Sequence, residues 1–192
     1  MFDQFLAAEK LPGFRVKQLW KFYYQQNPKS FTELSTWSLD LRNKLSDSVR
    51  FSALDLKQEF RSKNSGTIKA LFSRPNDGKL IEAVLMQHSD GRNTVCVSCM
   101  IGCPVGCVFC ATGRMGFIAN LTADEIVEQV LYFARILAPL GRKVTNVVFM
   151  GMGEPLLNYE NVKKSIEIML RQEAGFSLSR RHITISTAGI IP

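Results

Sequence analysis

The chain has 192 residues, 46% hydrophobic and 21% charged, enough to bury the core of one domain or one and a half. No stretch approaches the roughly 18–20 continuous apolar residues of a membrane span. The start, Met1-Phe2-Asp3-Gln4-Phe5, has neither the basic nor the apolar region of a secretory signal, so a cytoplasmic protein with no membrane partner is expected.

The 24 Lys and Arg against 17 Asp and Glu give a net charge of +7. That surplus is compatible with a polyanionic partner such as RNA, and equally with a basic surface that binds none. All five cysteines lie between Cys96 and Cys110. In a reducing compartment such clustering points to metal or redox chemistry instead of a disulfide framework.

The first sixty residues read as short amphipathic helices. Val16, Leu19, Trp20 and Tyr23 share one helical face, and Pro12-Gly13 separates this helix from the Phe2–Leu11 segment. Arg15, Lys17 and Lys21 lie off the apolar stripe, where they would solvate the surface or meet phosphates. Ser30-Phe31-Thr32-Glu33 has the form of a capping box and predicts another helix start.

After Ser65-Gly66 the period changes to two. Thr67–Ser73, Lys79–Met86 and Arg92–Ser98 are expected strands, joined by turns at Asn76-Asp77-Gly78 and Ser89-Asp90-Gly91. They form a short antiparallel β element ahead of the cysteines. Beyond them, Thr122-Ala123-Asp124-Glu125 caps a helix with Ile126, Val130, Phe133 and Leu137 on one face. Val144–Met150 reads as a buried parallel strand, Val162, Ile166 and Met169 mark a second helix, and His182–Ser186 a further strand. Alternation of this kind is β/α-unit logic with a parallel sheet.

Cys103, Cys107 and Cys110 form a C-x3-C-x2-C loop in which Phe109 precedes the last cysteine. Three thiolates suit a four-iron cluster that keeps one iron without a protein ligand. Two other readings stay open. A zinc site could use Cys96-x2-Cys99 with Cys107-x2-Cys110, although the seven residues between the pairs are far fewer than the roughly 15–20 of zinc ribbons. A thioredoxin-like dithiol needs its C-x-x-C to open a helix, and the nearest capping box lies twelve residues beyond Cys110. A second motif, Gly151-Met152-Gly153-Glu154-Pro155, directly follows an apolar strand. Glycines at that end of a strand let a ligand approach the backbone, and Glu154 offers a carboxylate to an amine.

Together these motifs resemble the radical S-adenosylmethionine superfamily. The longer strings Cys96-Val97-Ser98, Phe109-Cys110-Ala111-Thr112-Gly113, Asn120-Leu121-Thr122, Met150 to Asn158 and Ser186-Thr187-Ala188-Gly189-Ile190 are similar to the RlmN/Cfr family of RNA adenine methyltransferases. The similarity includes Arg15-Val16-Lys17-Gln18-Leu19 and is weakest between Asn27 and Asn64. It implies an α/β fold, an incomplete partial (β/α)6 barrel of about three β/α units. Residues 63–192 would supply this half barrel and the β extension. A small helical, RNA-binding accessory domain would occupy 1–62.

The resemblance further implies that Cys103, Cys107 and Cys110 hold a [4Fe-4S] cluster. Gly153, Glu154 and Ser186 would contact S-adenosylmethionine, Glu82 would be a proton acceptor, and Cys96 a reactive thiol. Cys99 stands where the family commonly has Ser and receives no role. The implied reaction methylates C2 of an adenosine in 23S rRNA and tRNA through a methyl-cysteine intermediate, in a monomer served by a flavodoxin-like electron donor. The Cfr-type alternative methylates C8 of the same rRNA adenine. A non-catalytic metal-cluster RNA-binding module is the alternative from another class. No cysteine follows Cys110, so the methyl-carrying thiol is missing and the chain is expected to be the amino-terminal part of a longer enzyme.

Overall fold

The computed structural model describes residues 2–172, 176 and 178–190. Helix α1 (Asp3–Ala8) ends ahead of Pro12, which takes the extended N-cap position of α2 (Gly13–Gln25). Helix α2 buries Leu19 and Tyr23 as its spacing predicts, with Phe22 and Tyr24 beside them. Around Tyr23 the aromatic rings meet edge to face, Phe2–Tyr23 at 5.0 Å and Phe31–Phe51 at 4.9 Å between centroids. Such pairs add roughly 0.5–1.5 kcal/mol beyond their burial.

Two expectations for this part fail, each for a local reason. The Ser30-x-x-Glu33 sequence opens only one 3-10 turn, Phe31–Glu33: Ser30 Oγ meets Thr32 Oγ1 at 2.5 Å instead of a backbone N–H. The following helix, α3 (Leu39–Ser48), is capped by Ser38, whose Oγ accepts the Leu41 N–H at 3.4 Å. Residues 55–61, read with the helices, form strand β1 (Asp55–Arg61), paired antiparallel with β2 (Ile68–Ser73). All of β1 is exposed or half-buried, so it shows no period of two. It is an edge strand with charged side chains, recruited by the ladder that β2 offers.

Strands β2 and β3 (Leu80–Gln87) follow the predicted alternation, whereas β4 (Asn93–Cys96), central in the sheet, buries Asn93, Thr94 and Val95 in succession. The antiparallel element is continuous with the parallel one, because β4 serves both. It pairs antiparallel with β3 (Val84 opposite Cys96) and parallel with β7 (Asn146–Phe149; Cys96 opposite Val148). Strand β8 (Ile183–Ile185) completes one six-stranded sheet of order β1-β2-β3-β4-β7-β8. Two crossover helices, α5 (Ala123–Leu137) and α6 (Tyr159–Leu170), link the parallel strands.

The Thr122 capping box forms as predicted, with both reciprocal bonds present. Ile126, Val130, Phe133 and Leu137 are fully buried, each contributing roughly 1.5–3 kcal/mol. They join one apolar cluster with Ala70, Phe72, Ile81, Ala83, Leu85, Val95 and Val147, the inward face of the sheet.

The helical part is tied to α5 by a polar knot. Glu128, 2% exposed, receives Arg135 Nη1 and Ser52 Oγ, each at 2.8 Å. The Tyr23 hydroxyl lies 3.0 Å from Glu128 Oε2 and 2.7 Å from Phe51 O, and its single proton serves one of them at a time. Burial, then the Glu128 charge, pushes the Tyr23 phenol well above its usual range. No helix among the described residues is long and apolar enough to cross a membrane.

Candidate active site

The cysteine loop is carried by a small hairpin that the sequence reading did not foresee, β5 (Met100–Gly102) with β6 (Phe117–Asn120). Its base is too tight for a side chain. Gly102 has φ +69°, and a Cβ there would lie 1.8 Å from the Gly116 carbonyl oxygen. A four-residue helical turn, α4 (Ala111–Arg114), starts immediately after Cys110, where a loop was expected.

Cys103, Cys107 and Cys110 line one cavity of about 400 Å3 together with Gly153, Glu154 and Ser186. Six residues singled out in the sequence thus converge, brought together from the loop after β5, the loop after β7 and the end of β8. This is the carboxyl end of the parallel strands, where sheets of this class bind ligands.

The electrostatics separate the cysteines. The Gly113 N–H, and then that of Thr112, draws the Cys110 thiol below its usual range and favours the thiolate a metal needs. Cys99, only 2% exposed, is pushed up to about 12 by burial, then by the Glu154 charge and by Cys103. Among the described residues no three His, Cys, Asp or Glu side chains converge on one ion position. A cluster places its three thiolates on separate irons and asks for no such convergence.

The loop after β7 is pinned from below. Gly153, at φ +104°, sits so close to β5 that a Cβ would lie 2.5 Å from Met100 Cβ. The Met152 carbonyl accepts the N–H groups of Cys99 and Met100 at 2.9 and 3.1 Å. Burial raises the Glu154 carboxyl, but the Ala188 N–H (2.8 Å), the Thr187 hydroxyl and the Leu156 N–H (3.1 Å) together outweigh it and hold it below the usual range. An ionised carboxylate has about four acceptor positions, so these three donors leave room for a ligand ammonium.

Two buried residues that the sequence reading left without a role hold these pieces in register. Ser98 exchanges two hydrogen bonds with the Gln129 amide (2.8 and 2.9 Å), donates to Glu82 O at 2.6 Å and accepts the Met152 N–H at 2.9 Å. The Asn158 amide donates to Cys99 O and Leu121 O, both at 2.8 Å, joining the β7 loop to the hairpin. Each lies inside a string that carried the family resemblance; nothing in its residue type announced the contact.

Glu82 and Cys96 are not on the cavity wall. Glu82 is half-exposed on β3, with Lys69 Nζ 3.1 Å from its carboxylate. Cys96 is half-buried on β4, its thiol pushed up by burial against a smaller opposite pull from the Met150 N–H. The Val84–Cys96 register places both on the same face of the sheet, opposite the apolar core.

Residues 97–192 match the Radical SAM superfamily, and the chain belongs to it. Membership implies a [4Fe-4S] cluster and S-adenosylmethionine, and the three converging cysteines, the lowered Cys110 thiol and the ionised Glu154 fit both groups.

Among curated relatives, a probable dual-specificity RNA methyltransferase RlmN of Thermus thermophilus is 46% identical over 187 residues, 96% of this chain and 52% of the relative. The same description applies to a protein of Chlorobium phaeobacteroides, 42% identical over 186 residues, 94% of this chain and 51% of that one. The crystal structure of a radical SAM methyltransferase from Sphaerobacter thermophilus superposes with a TM-score of 0.90 at 42% identity, over 97% of this chain and 54% of that one. The chain therefore spans about half the length of the relatives it matches.

Proposed function

We propose that this chain carries the cluster and cofactor loops of a radical S-adenosylmethionine methyltransferase acting on an RNA adenine. The observation that carries the reading is the convergence of Cys103, Cys107, Cys110 and Glu154 on one cavity. The three thiolates would hold the cluster, the Glu154 carboxylate the cofactor's ammonium, and the Gly153 backbone and Ser186 its remaining polar groups. When bound, the two groups supply a carbon-centred radical by one-electron cleavage of the sulfonium.

The remaining steps fall to the chain's own residues. The loop pinned by Ser98 and Asn158 fixes the Glu154 carboxylate and with it the orientation of the ligand. Glu82, half-exposed on the open sheet face, would accept a proton from a base laid across that face. Cys96, held neutral by burial, would act as a thiol and not as a metal ligand.

The relatives named as dual-specificity RNA methyltransferases support RNA as substrate; C2 of an adenosine in 23S rRNA and tRNA, ahead of the C8 alternative, is part of the same proposal. A cytoplasmic monomer and a flavodoxin-like electron donor belong to the same proposal. Five cysteines without a disulfide suit a reducing compartment. The helical part, with Arg15, Lys17 and Lys21 off its apolar stripe, would contact RNA.

No cysteine follows Cys110, so the second thiol of the methyl-cysteine route is not within these residues. Incubated with S-adenosylmethionine, reductant and RNA, the chain alone is expected to yield no methyladenosine on mass spectrometry of the nucleosides. Supplying the carboxyl-terminal half of a relative in trans is expected to give 2-methyladenosine. Product at C8 would select the alternative, and 2-methyladenosine from the chain alone would overturn the two-thiol route.

A further inference from the structure

We propose that the open face of the sheet carries a subsite for an unpaired RNA nucleotide next to the one presented to Glu82, with the Phe60 ring as its stacking platform and Lys69 as its phosphate contact. The inference rests on the RNA-modifying reading above. It comes from a part of the molecule, β1 and β2, that the cavity does not use.

Strand register assembles the subsite. Phe60 on β1 stands opposite Lys69 on β2, Lys69 opposite Val84 on β3, and Val84 opposite Cys96 on β4. Cross-strand partners share a face, so Phe60, Lys69, Glu82 and Cys96 all project from the side of the sheet away from α5. Strands β2 and β3 fill their other face with Ile68, Ala70, Phe72, Ile81, Ala83 and Leu85, all buried. Phe60 is thus excluded from the core by its register and remains 46% exposed.

A single exposed aromatic is ordinary on a protein surface; this one has a cation held beside it. Lys69 Nζ lies 5.3 Å from the Phe60 ring centre and 3.1 Å from Glu82 Oε1. The Glu82 contact keeps the ammonium on the open face instead of letting it range through solvent. Arg61, next in sequence to Phe60, stands opposite Ile68 and so projects from the other face, paired with Glu59, which leaves Lys69 as the cation beside the ring. An aromatic ring on an open antiparallel sheet with a cation beside it is an arrangement that stacks an unpaired base while meeting its phosphate.

Two strand spacings, roughly 10 Å, separate the backbones of Phe60 and Glu82, and Lys69 Nζ lies between their side chains. A base on Phe60 is therefore a neighbour of the base at Glu82 and not that base itself. The subsite would splay the strand on either side of the target and fix its register.

The test is binding of an end-labelled, unstructured oligoadenylate to the chain, followed by fluorescence anisotropy over a range of salt. Phe60→Ala should weaken binding roughly 5- to 100-fold, the range for losing one stacked base. Phe60→Trp should restore it. Lys69→Met should lower the slope of log affinity against log salt by about 0.7, one phosphate contact on a single strand. Since Phe60 is half-exposed on an edge strand, thermal unfolding of these variants should match the parent and exclude misfolding as the cause. RNA binding that is indifferent to Phe60 and Lys69 overturns the subsite and leaves the RNA-modifying reading standing. Absence of any RNA binding by the parent overturns both.

Discussion

Replacing Cys103, Cys107 or Cys110 singly by Ala is expected to leave the anaerobically reconstituted chain with almost no bound iron and without the brown sulfur-to-iron absorbance of the parent. Cys96→Ala and Cys99→Ala should retain both. The contrast follows from where each sulfur sits. The three loop cysteines line one cavity, and Cys110 is already drawn toward the thiolate by the N–H groups of Gly113 and Thr112. Each would supply a separate iron, so loss of one leaves two unliganded corners in place of one.

Cys99 is buried, its thiol pushed up to about 12 by burial and then by Glu154, and Cys96 lies outside the cavity. The zinc alternative built on Cys96, Cys99, Cys107 and Cys110 predicts a different pattern. Under it Cys103→Ala keeps its metal and Cys99→Ala loses it. Metal content of the five variants, read beside their circular dichroism, separates the two.

The second large effect is on stability. Glu128→Ala should cost about 3–5 kcal/mol in urea unfolding, because it leaves the mostly buried Arg135 guanidinium without its counter-charge. Glu128 is 2% exposed and takes hydrogen bonds from Arg135 and Ser52. The Arg135 guanidinium also stacks over Phe51 at 5.0 Å and over Tyr23 at 5.7 Å, so its displacement disturbs the aromatic cluster that docks α2 against α5. Glu128→Gln keeps the shape and one acceptor oxygen and should cost clearly less. A loss below about 1 kcal/mol for Glu128→Ala, the size of an exposed pair, would show that this knot does not tie the helical part to the barrel.

Much of this was legible in the sequence because the signals were local. The Thr122-to-Glu125 capping box needs only its own four residues and forms as read, whereas the same pattern at Ser30 is diverted by the Thr32 hydroxyl. The cysteine triplet and Gly153-Glu154 mark the site because spacing and backbone freedom are written into the residues themselves.

What stayed hidden depends on partners distant in the chain. Strand β1 has no alternation of its own and exists because β2 pairs with it. Ser98 looks like any strand serine until Gln129, 31 residues on, bonds both its backbone groups. Asn158 acquires its role from Cys99, 59 residues earlier. Glu82 illustrates the converse: read from the residues it is a solvent-facing strand position, and the structure shows it half-exposed beside Lys69. Only the family resemblance assigns it chemistry.

The central claim is that the loop cysteines bind a cluster whose fourth iron is left for S-adenosylmethionine, with Glu154 holding the ligand's ammonium. Titrating S-adenosylmethionine into the reduced, reconstituted chain while recording its electron paramagnetic resonance spectrum tests this most directly. The account predicts a saturable change in the cluster signal. Glu154→Gln should shift the midpoint roughly 10- to 100-fold to higher concentration, the loss expected for one charged hydrogen bond. A cluster spectrum unmoved by saturating S-adenosylmethionine would contradict the account.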